Sequence, residues 1–539
     1  MGKAKRNNRK ARVANEREAA RNSAAAMARD LRGERPTGAV KRAVLAWQEH
    51  RYDEAIVLFE RALQQKPNNV QLLLDLGRAY GLRYDYDKAD EYLGRALKLS
   101  PDSPRAMFAI GETYRKIARF DRAAEYFRKA TLLASGQVNA LLQLAEVLER
   151  LHALDEAVRA VADALRMDPA HPNGLFLRAK LTRRRGDSPQ AAALLEEFLA
   201  MPPVRLLEPR WRAWYELGNI RDKEGNYDEA MRCLLKAKQL LQKQGRAMLD
   251  GTAFTLQKNT ELLSTITSDH FKRWNAERFA PEQNVALLCG HPRSGTTLIE
   301  QVLDAHPGLV SADETNIMSD EAYIPLGNHF PVTVTPTDML DQSAPVHIQQ
   351  ARDTYISMTV AFLREPLDRR VLLDKNPELT MILPAIVRMF PEIKVIVALR
   401  DPRDVCLSCF MQPLPMNSVS ASYLSIESTF KKYASVMDTW LHIRPMLQAP
   451  WMETRYEDNV VNLEKEATTA LEFLGLPWDP QVLNFHERAR QKHVRSPTYE
   501  AVTQPVHNRA VGRWRNYQKF IEPHLNILGP YADAFGYDS

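Results

Sequence analysis

The stretch LLCGHPRSGTTLIEQVLDAHP, Leu287 to Pro307, decides how the second half of the chain is read. A short apolar run ends in Gly290, four residues follow, and then come Gly295, Thr296 and Thr297. The two glycines keep the spacing of the phosphate-cradling loop G-x-x-x-x-G-K-[ST], yet Thr296 stands where the lysine belongs. A strand that runs into such a loop and opens a helix turns its backbone amides, here from Arg293 to Thr297, toward an anion. A triphosphate with magnesium calls for the lysine. A less highly charged group does not: the amides, the hydroxyls of Ser294, Thr296 and Thr297, and the guanidinium of Arg293 suffice for it.

Working outward, the apolar runs Val285–Leu288, Val371–Leu373, Lys394–Leu399 and Trp451–Arg455 alternate with helical stretches at Thr297–Ala305, Thr380–Met389 and Phe430–Met446. Strands alternating with helices predict a parallel sheet covered on both faces. The third run continues into Arg400 and then DPRDVCLS, with Ser408 eight residues on. An arginine fork at a strand end and a serine one turn inside a helix N-terminus suit a second phosphate. The plainer alternative is an arginine paired with Asp401 or Asp404.

Upstream the chain repeats itself. Ala55, Ala89, Ala123, Ala157 and Ala191 recur every 34 residues, as do Gly77, Gly111, Ala145 and Ala179, and Ala62, Ala96, Ala130 and Ala164. Pro67, Pro101, Pro169 and Pro203 close the units; after a slip of five residues the pattern returns with Gly218 and Ala230. Small residues at fixed places in a helix pair mark close crossings, and stacked pairs bury one continuous core. About six units are expected, with a concave face for peptides or proteins and no chemistry of their own.

The 539 residues carry a formal net charge of +6. Residues 1–36 hold eleven Lys/Arg, from Lys3 to Arg35, against Glu16, Glu18, Asp30 and Glu34. That head accounts for the whole excess, reads as a solvated tail, and makes nucleic-acid binding an inferior expectation. No run of 18 apolar residues and no apolar segment behind the basic N-terminus appear, so neither a membrane span nor a secretory signal is expected. Four cysteines suit a reducing compartment, and Cys406-Leu-Ser-Cys409 reads as two small apolar residues in a helix rather than a metal or redox pair. The expected division is a basic tail over 1–37, helical repeats over 38–243, a helical connector over 244–283 and an α/β domain over 284–539.

Two resemblances follow from these residues. The repeats resemble tetratricopeptide repeats in period and residue pattern. Pro292-Arg-Ser-Gly-Thr-Thr297 resembles the 5′-phosphosulfate loop of sulfotransferases that use 3′-phosphoadenosine-5′-phosphosulfate, and RSGTTLIEQVLDAHPGLVSADET, Arg293 to Thr315, resembles their tyrosylprotein sulfotransferase branch. The resemblance implies a fold: an all-α repeat solenoid followed by an α/β, P-loop-like sulfotransferase domain. It also implies roles. Glu314 would be the general base, with Asp313 its rival, and Lys375 and Arg293 would steady charge on the departing phosphate. Arg400 and Ser408 would grip the 3′-phosphate, and Tyr456 would contact the nucleotide. In the C-terminal segment, Thr498 would stand near the sulfuryl group and Arg513 near the 3′-phosphate. Gln412 departs from the family, which often has an arginine there, and residues 316–369 resemble nothing decodable.

The implied function is transfer of a sulfuryl group to a hydroxyl, a protein tyrosine or a related phenol or alcohol. No metal takes part, and the repeats recruit the acceptor or a partner protein. The absence of a signal anchor implies a cytoplasmic, bacterial-type arrangement. The competing readings are a P-loop kinase or NTPase, with Asp374 at the end of RVLLD as its metal ligand, and a repeat scaffold carrying an inactive transferase domain.

Overall fold

A computed structural model of the chain describes residues 38–48, 51–133, 138–202, 208–331, 333–414, 416–487 and 506–538. The basic head and Thr498 lie outside these. Two compact units divide after Ile220.

The first unit is helical, as the 34-residue period predicts. Its helices run Gly38–Gln48, Tyr52–Gln65, Val70–Leu82, Tyr86–Leu99, Pro104–Lys116, Phe120–Leu133, Val138–Arg150, Leu154–Met167, Pro172–Arg184 and Ser188–Ala200, and Glu208–Lys223 follows. Periodic small residues sit where helices cross: Ala55, Ala89, Ala123, Ala157 and Ala191 have no exposed surface. A Cβ on Gly77 would lie 2.6 Å from the Leu93 side chain, and one on Gly111 would lie 2.8 Å from the Phe127 ring. Helices stop at Gln65, Leu99 and Met167, two residues before Pro67, Pro101 and Pro169, because a proline disfavours helical backbone in the residue before it. Starts are fixed by side chains that accept from the third residue on: Asn69 from Leu72, Asp85 from Lys88, Ser103 from Ala106, Asp187 from Gln190.

The second unit opens on a 39-residue helix, α1 (Tyr227–Thr265), capped by Asn226. It runs straight through residue 243, where periodicity ends the repeats, because nothing there breaks it. A five-stranded parallel sheet follows: β1 (Val285–Gly290), β2 (Leu309–Asp313), β3 (Val371–Lys375), β4 (Lys394–Leu399) and β5 (Trp451–Arg455), ordered β2-β3-β1-β4-β5. Four of these are the predicted runs. β2 is the addition, a five-residue strand buried along its whole length. The helices α2 (Thr296–Asp304), α3 (Pro345–Leu363), α4 (Pro402–Phe410), α5 (Ile426–Ile443) and α6 (Leu463–Leu474) connect and cover the strands. One core layer joins Ile299, Val302 and Leu303 of α2, Leu288, Leu373 and Ile396 of the sheet, and Ala470 and Leu474 of α6. Chain order reverses across the sheet at β1, and open parallel sheets bind ligands at the carboxyl ends of strands at such a reversal. Among the described residues no helix is long and apolar enough to cross a membrane.

Candidate active site

The loop from Gly290 to Gly295 lies at the carboxyl end of β1 and opens α2. Its two glycines are needed by geometry. Gly290 has φ +134°, and a Cβ there would stand 2.4 Å from the Ala398 carbonyl on neighbouring β4; Gly295 has φ +100°, with Tyr456 2.7 Å from its would-be Cβ. Arg293 also takes a left-handed conformation, φ +74°. Strain at a non-glycine residue persists only where the surroundings hold it, and it clusters at binding sites.

Three loops converge on this one. From β4, Arg400 donates through Nη1 to the Arg293 carbonyl (3.2 Å) and through Nη2 to the Ala510 carbonyl, and its guanidinium lies 4.7 Å over the Tyr456 ring. From α4, the Ser408 hydroxyl accepts from Arg293 Nε at 3.0 Å. From the C-terminal segment, the Gly512 and Trp514 amides donate to the buried Asp404 carboxylate at 2.7 and 2.8 Å. That clamp holds Arg513 at the cavity, where Nη2 also pairs with Asp222 at 2.6 Å. The cavity measures about 400 Å³ and is lined by Arg293, Gly295, Thr296, Thr297, Arg400, Ser408, Tyr456 and Arg513, besides Glu314.

The electrostatics of this corner favour an anion. Burial lowers the pKa of Arg293, and the neighbouring Arg400 adds to the fall. Among the described residues no carboxylate lies within ion-pair distance of Arg293. Arg400 has only Asp404, at 3.8 Å. Among the described residues, the Ser294 hydroxyl and Arg400 Nε are buried without a hydrogen-bond partner. Buried polar groups ordinarily find partners, and Arg400 lines the cavity, so its Nε is spare capacity for a ligand there. Burial also raises the Tyr456 pKa, so its phenol stays neutral.

Across the cavity, the ends of β2 and β3 carry the opposite charge. Glu314 N donates to the Lys375 carbonyl at 2.8 Å, and Asn376 Nδ2 donates to the Thr315 carbonyl at 2.8 Å. This stitching places Lys375 Nζ 2.5 Å from Asp313 and 2.8 Å from Glu314. The ammonium is wholly buried and Asp313 nearly so, whereas the Glu314 side chain is 33% exposed and lines the cavity. Burial pulls the Lys375 pKa down, but Asp313, Glu314 and Glu300 outweigh it and the net shift is upward. A π-helical turn, Ile317–Tyr323, follows at once, and residues 316–369 go on to form α3.

Side chains alternate along a strand, so Asp374 points away from this site. It is fully buried, and Tyr355 donates to its Oδ2 at 2.9 Å. It cannot serve as the metal carboxylate of a kinase without leaving the core. Cys406 and Cys409 are buried in α4, and burial pushes the Cys409 thiol up to about 12. The structure therefore gathers Arg293, Ser294, Gly295, Thr296, Thr297, Arg400, Ser408, Tyr456, Arg513, Glu314 and Lys375 at one end of one sheet. The sequence reading named Asp404 only as a partner for Arg400, which it is at 3.8 Å, and did not see that it also ties residues 512–514 to the cradle. Asp401, the other partner offered for Arg400, pairs with Arg403 instead and accepts from the Trp514 indole at 3.1 Å. The acidic pair flanking Pro402-Arg403 was the available signal.

Residues 286–480 match the model of the Sulfotransferase family. Residues 46–80 and, in overlapping pieces, 74–242 match Tetratricopeptide repeat models. The chain thus joins a region that matches tetratricopeptide repeats to a region that matches the sulfotransferase family. An uncharacterized protein of Aquifex aeolicus is 25% identical over 348 residues, 62% of this chain and 43% of its own length, so this chain spans less than half of that relative. A putative protein-tyrosine sulfotransferase of Caenorhabditis briggsae is 26% identical over 265 residues, 48% of this chain and 90% of its own length. Among solved structures, the sulfotransferase domain of the Synechococcus PCC 7002 olefin synthase is 20% identical. It covers 49% of this chain and 98% of its own, with a TM-score of 0.36.

Proposed function

We propose that this chain transfers a sulfuryl group from 3′-phosphoadenosine-5′-phosphosulfate to a phenolic or alcoholic hydroxyl, with protein tyrosine the leading acceptor class. The observation that carries the reading is the pair of adjacent guanidiniums around a lysine-free cradle, Arg293 without a counter-ion and Arg400 with an idle Nε among the described residues. Such a pair fits a nucleotide with phosphate at two places. Arg293, Ser294 and the amides to Thr297 would hold the phosphosulfate end, and Arg400, Ser408 and Arg513 the 3′-phosphate, with Tyr456 against the nucleotide. When bound, the donor supplies an activated sulfur–oxygen bond to a phosphate leaving group.

The protein's own part is proton handling and charge. Glu314, the exposed member of the acidic pair, takes the hydroxyl proton as the acceptor oxygen bonds to sulfur. Arg293 and Lys375 stabilise the negative charge left on the phosphate as the old bond breaks. Protonation of Glu314 weakens its hold on Lys375, so the ammonium's field shifts toward the leaving group at the moment it is needed. The name of the Caenorhabditis relative supports a tyrosine acceptor, and the repeats would recruit the protein that carries it. Placement of the donor-binding domain at residues 284–539, with its helical connector before it, belongs to the same proposal.

Calorimetric titration of the full chain with 3′,5′-bisphosphoadenosine, beside ADP and magnesium–ATP, tests it. Binding of the bisphosphate at least about tenfold tighter than either rival, lost in Arg400→Ala, supports the reading. Preference for magnesium–ATP sinks it.

A further inference from the structure

The cavity divides by charge. Its arginines, Arg293, Arg400 and Arg513, all belong to loops of the β1–β4 side and the C-terminal segment; the carboxylates among its lining residues, Glu314 and Glu378, follow β2 and β3. Each carboxylate stands in front of a buried lysine that it already pairs with. Glu314 is 33% exposed before a fully buried Lys375. Glu378 is 33% exposed before Lys432, which is 4% exposed and 3.6 Å away. Uncharged residues also line the cavity, among them Pro377, Gln412, Leu414, Val419 and Tyr423. The Tyr423 hydroxyl is buried with only the soft Cys409 thiol beside it and no oxygen or nitrogen partner.

Resting on the sulfotransferase reading, we propose that the acceptor lobe selects uncharged or cationic phenols, and that Glu378 is the residue that rejects anionic ones. A phenol ring packs on Leu414, Val419 and the Tyr423 ring with its hydroxyl toward Glu314. A negative group on such an acceptor meets Glu378 without an accessible cation, beside a donor that is itself anionic. Like charges a few ångströms apart in a partly buried site oppose binding steeply, and specificity of this kind works by repulsion. A protein tyrosine therefore enters from a neutral or basic sequence, not an acidic one.

Three para-substituted phenols separate the charge from the ring: tyramine, 4-propylphenol and 3-(4-hydroxyphenyl)propionate. Their binding to the full chain saturated with 3′,5′-bisphosphoadenosine, and their kcat/KM with the sulfated donor, should place the anion at least about tenfold behind the other two. Glu378→Gln should shrink that gap to about threefold or less, while Glu378→Asp should keep it. An anion that binds as well as 4-propylphenol, or a gap unchanged in Glu378→Gln, overturns the proposal. So does failure of all three phenols to bind while the bisphosphate does, which leaves the donor reading standing. Failure of the bisphosphate itself overturns the sulfotransferase reading instead.

Discussion

Glu314 and Asp313 are consecutive carboxylates on one lysine, and position along the strand decides what each can do. Asp313 is the last residue of β2 and lies inside against Lys375; Glu314, at φ +48°, turns out of the strand and reaches the cavity. With Glu314 as the base, Glu314→Gln should lower kcat by a factor of about 10²–10⁴ and leave bisphosphate binding within about twofold. Single-turnover kinetics beside calorimetry separate the two effects, and full activity in that variant would end the assignment. The cradle and its glycines were legible because geometry dictates them: no other residue fits at 290 beneath the Ala398 carbonyl. The pairing of Asp404 with Arg400 was legible at four residues' spacing, but its hold on residues 512–514 was not, since those amides lie more than a hundred residues downstream and no local pattern records them.

At the scale of elements, the repeats hide a second period. Tyr84, Ala118, His152 and Gly186 all have positive φ, at +65°, +59°, +58° and +98°, and all stand in the turn between the two helices of a unit. The turn demands a left-handed residue every 34 positions, yet three of the four places lack glycine, so composition gave no sign of it. A non-glycine residue held there costs about 1 kcal/mol or more, while glycine brings its own entropic cost in the unfolded chain. Ala118→Gly should therefore stabilise by about 0.5 kcal/mol, since the strain relieved exceeds the freedom gained. Urea denaturation followed by circular dichroism measures this, and a destabilised variant would refute it. β2 escaped the sequence reading for a related reason: Leu309-Val-Ser-Ala-Asp313 is short and weak in β-branched residues, and it is a strand because β3 pairs with it along its whole length.

For the whole molecule, two buried groups set opposing pH dependences. Burial raises Asp374 to about 7, against Tyr355 and Lys375 acting the other way. The folded chain thus keeps a proton there that the unfolded chain loses near pH 4, and this contribution to stability fades as pH rises from about 4 to 7. Burial lowers His291 to about 3, its Nδ1 donating to the Pro292 carbonyl. The unfolded chain takes up that proton below about 6.5, so stability falls as pH drops from there. The two slopes nearly cancel in the native chain. Asp374→Asn removes one of them. Its stability deficit should grow by about 2 kcal/mol between pH 7.5 and 5, read from urea midpoints of both chains. A deficit independent of pH would show that Asp374 is ionised throughout.

The long helix α1 changes what counts as a module. By period the last repeat ends near residue 243, yet the helix from Tyr227 onward lies in the second unit. Its Lys238 is buried over the Phe410 ring and donates to the Tyr423 carbonyl, and its Thr252 donates to the Ser418 carbonyl. The cavity wall at Tyr423 is thus held by Lys238, which sequence periodicity assigns to the repeats. Recombination that swapped repeat arrays at the periodic boundary would deliver a transferase domain with part of its floor torn out. The compact unit begins at Arg221, so the final period packs as part of the sheet-bearing unit although by sequence it continues the array.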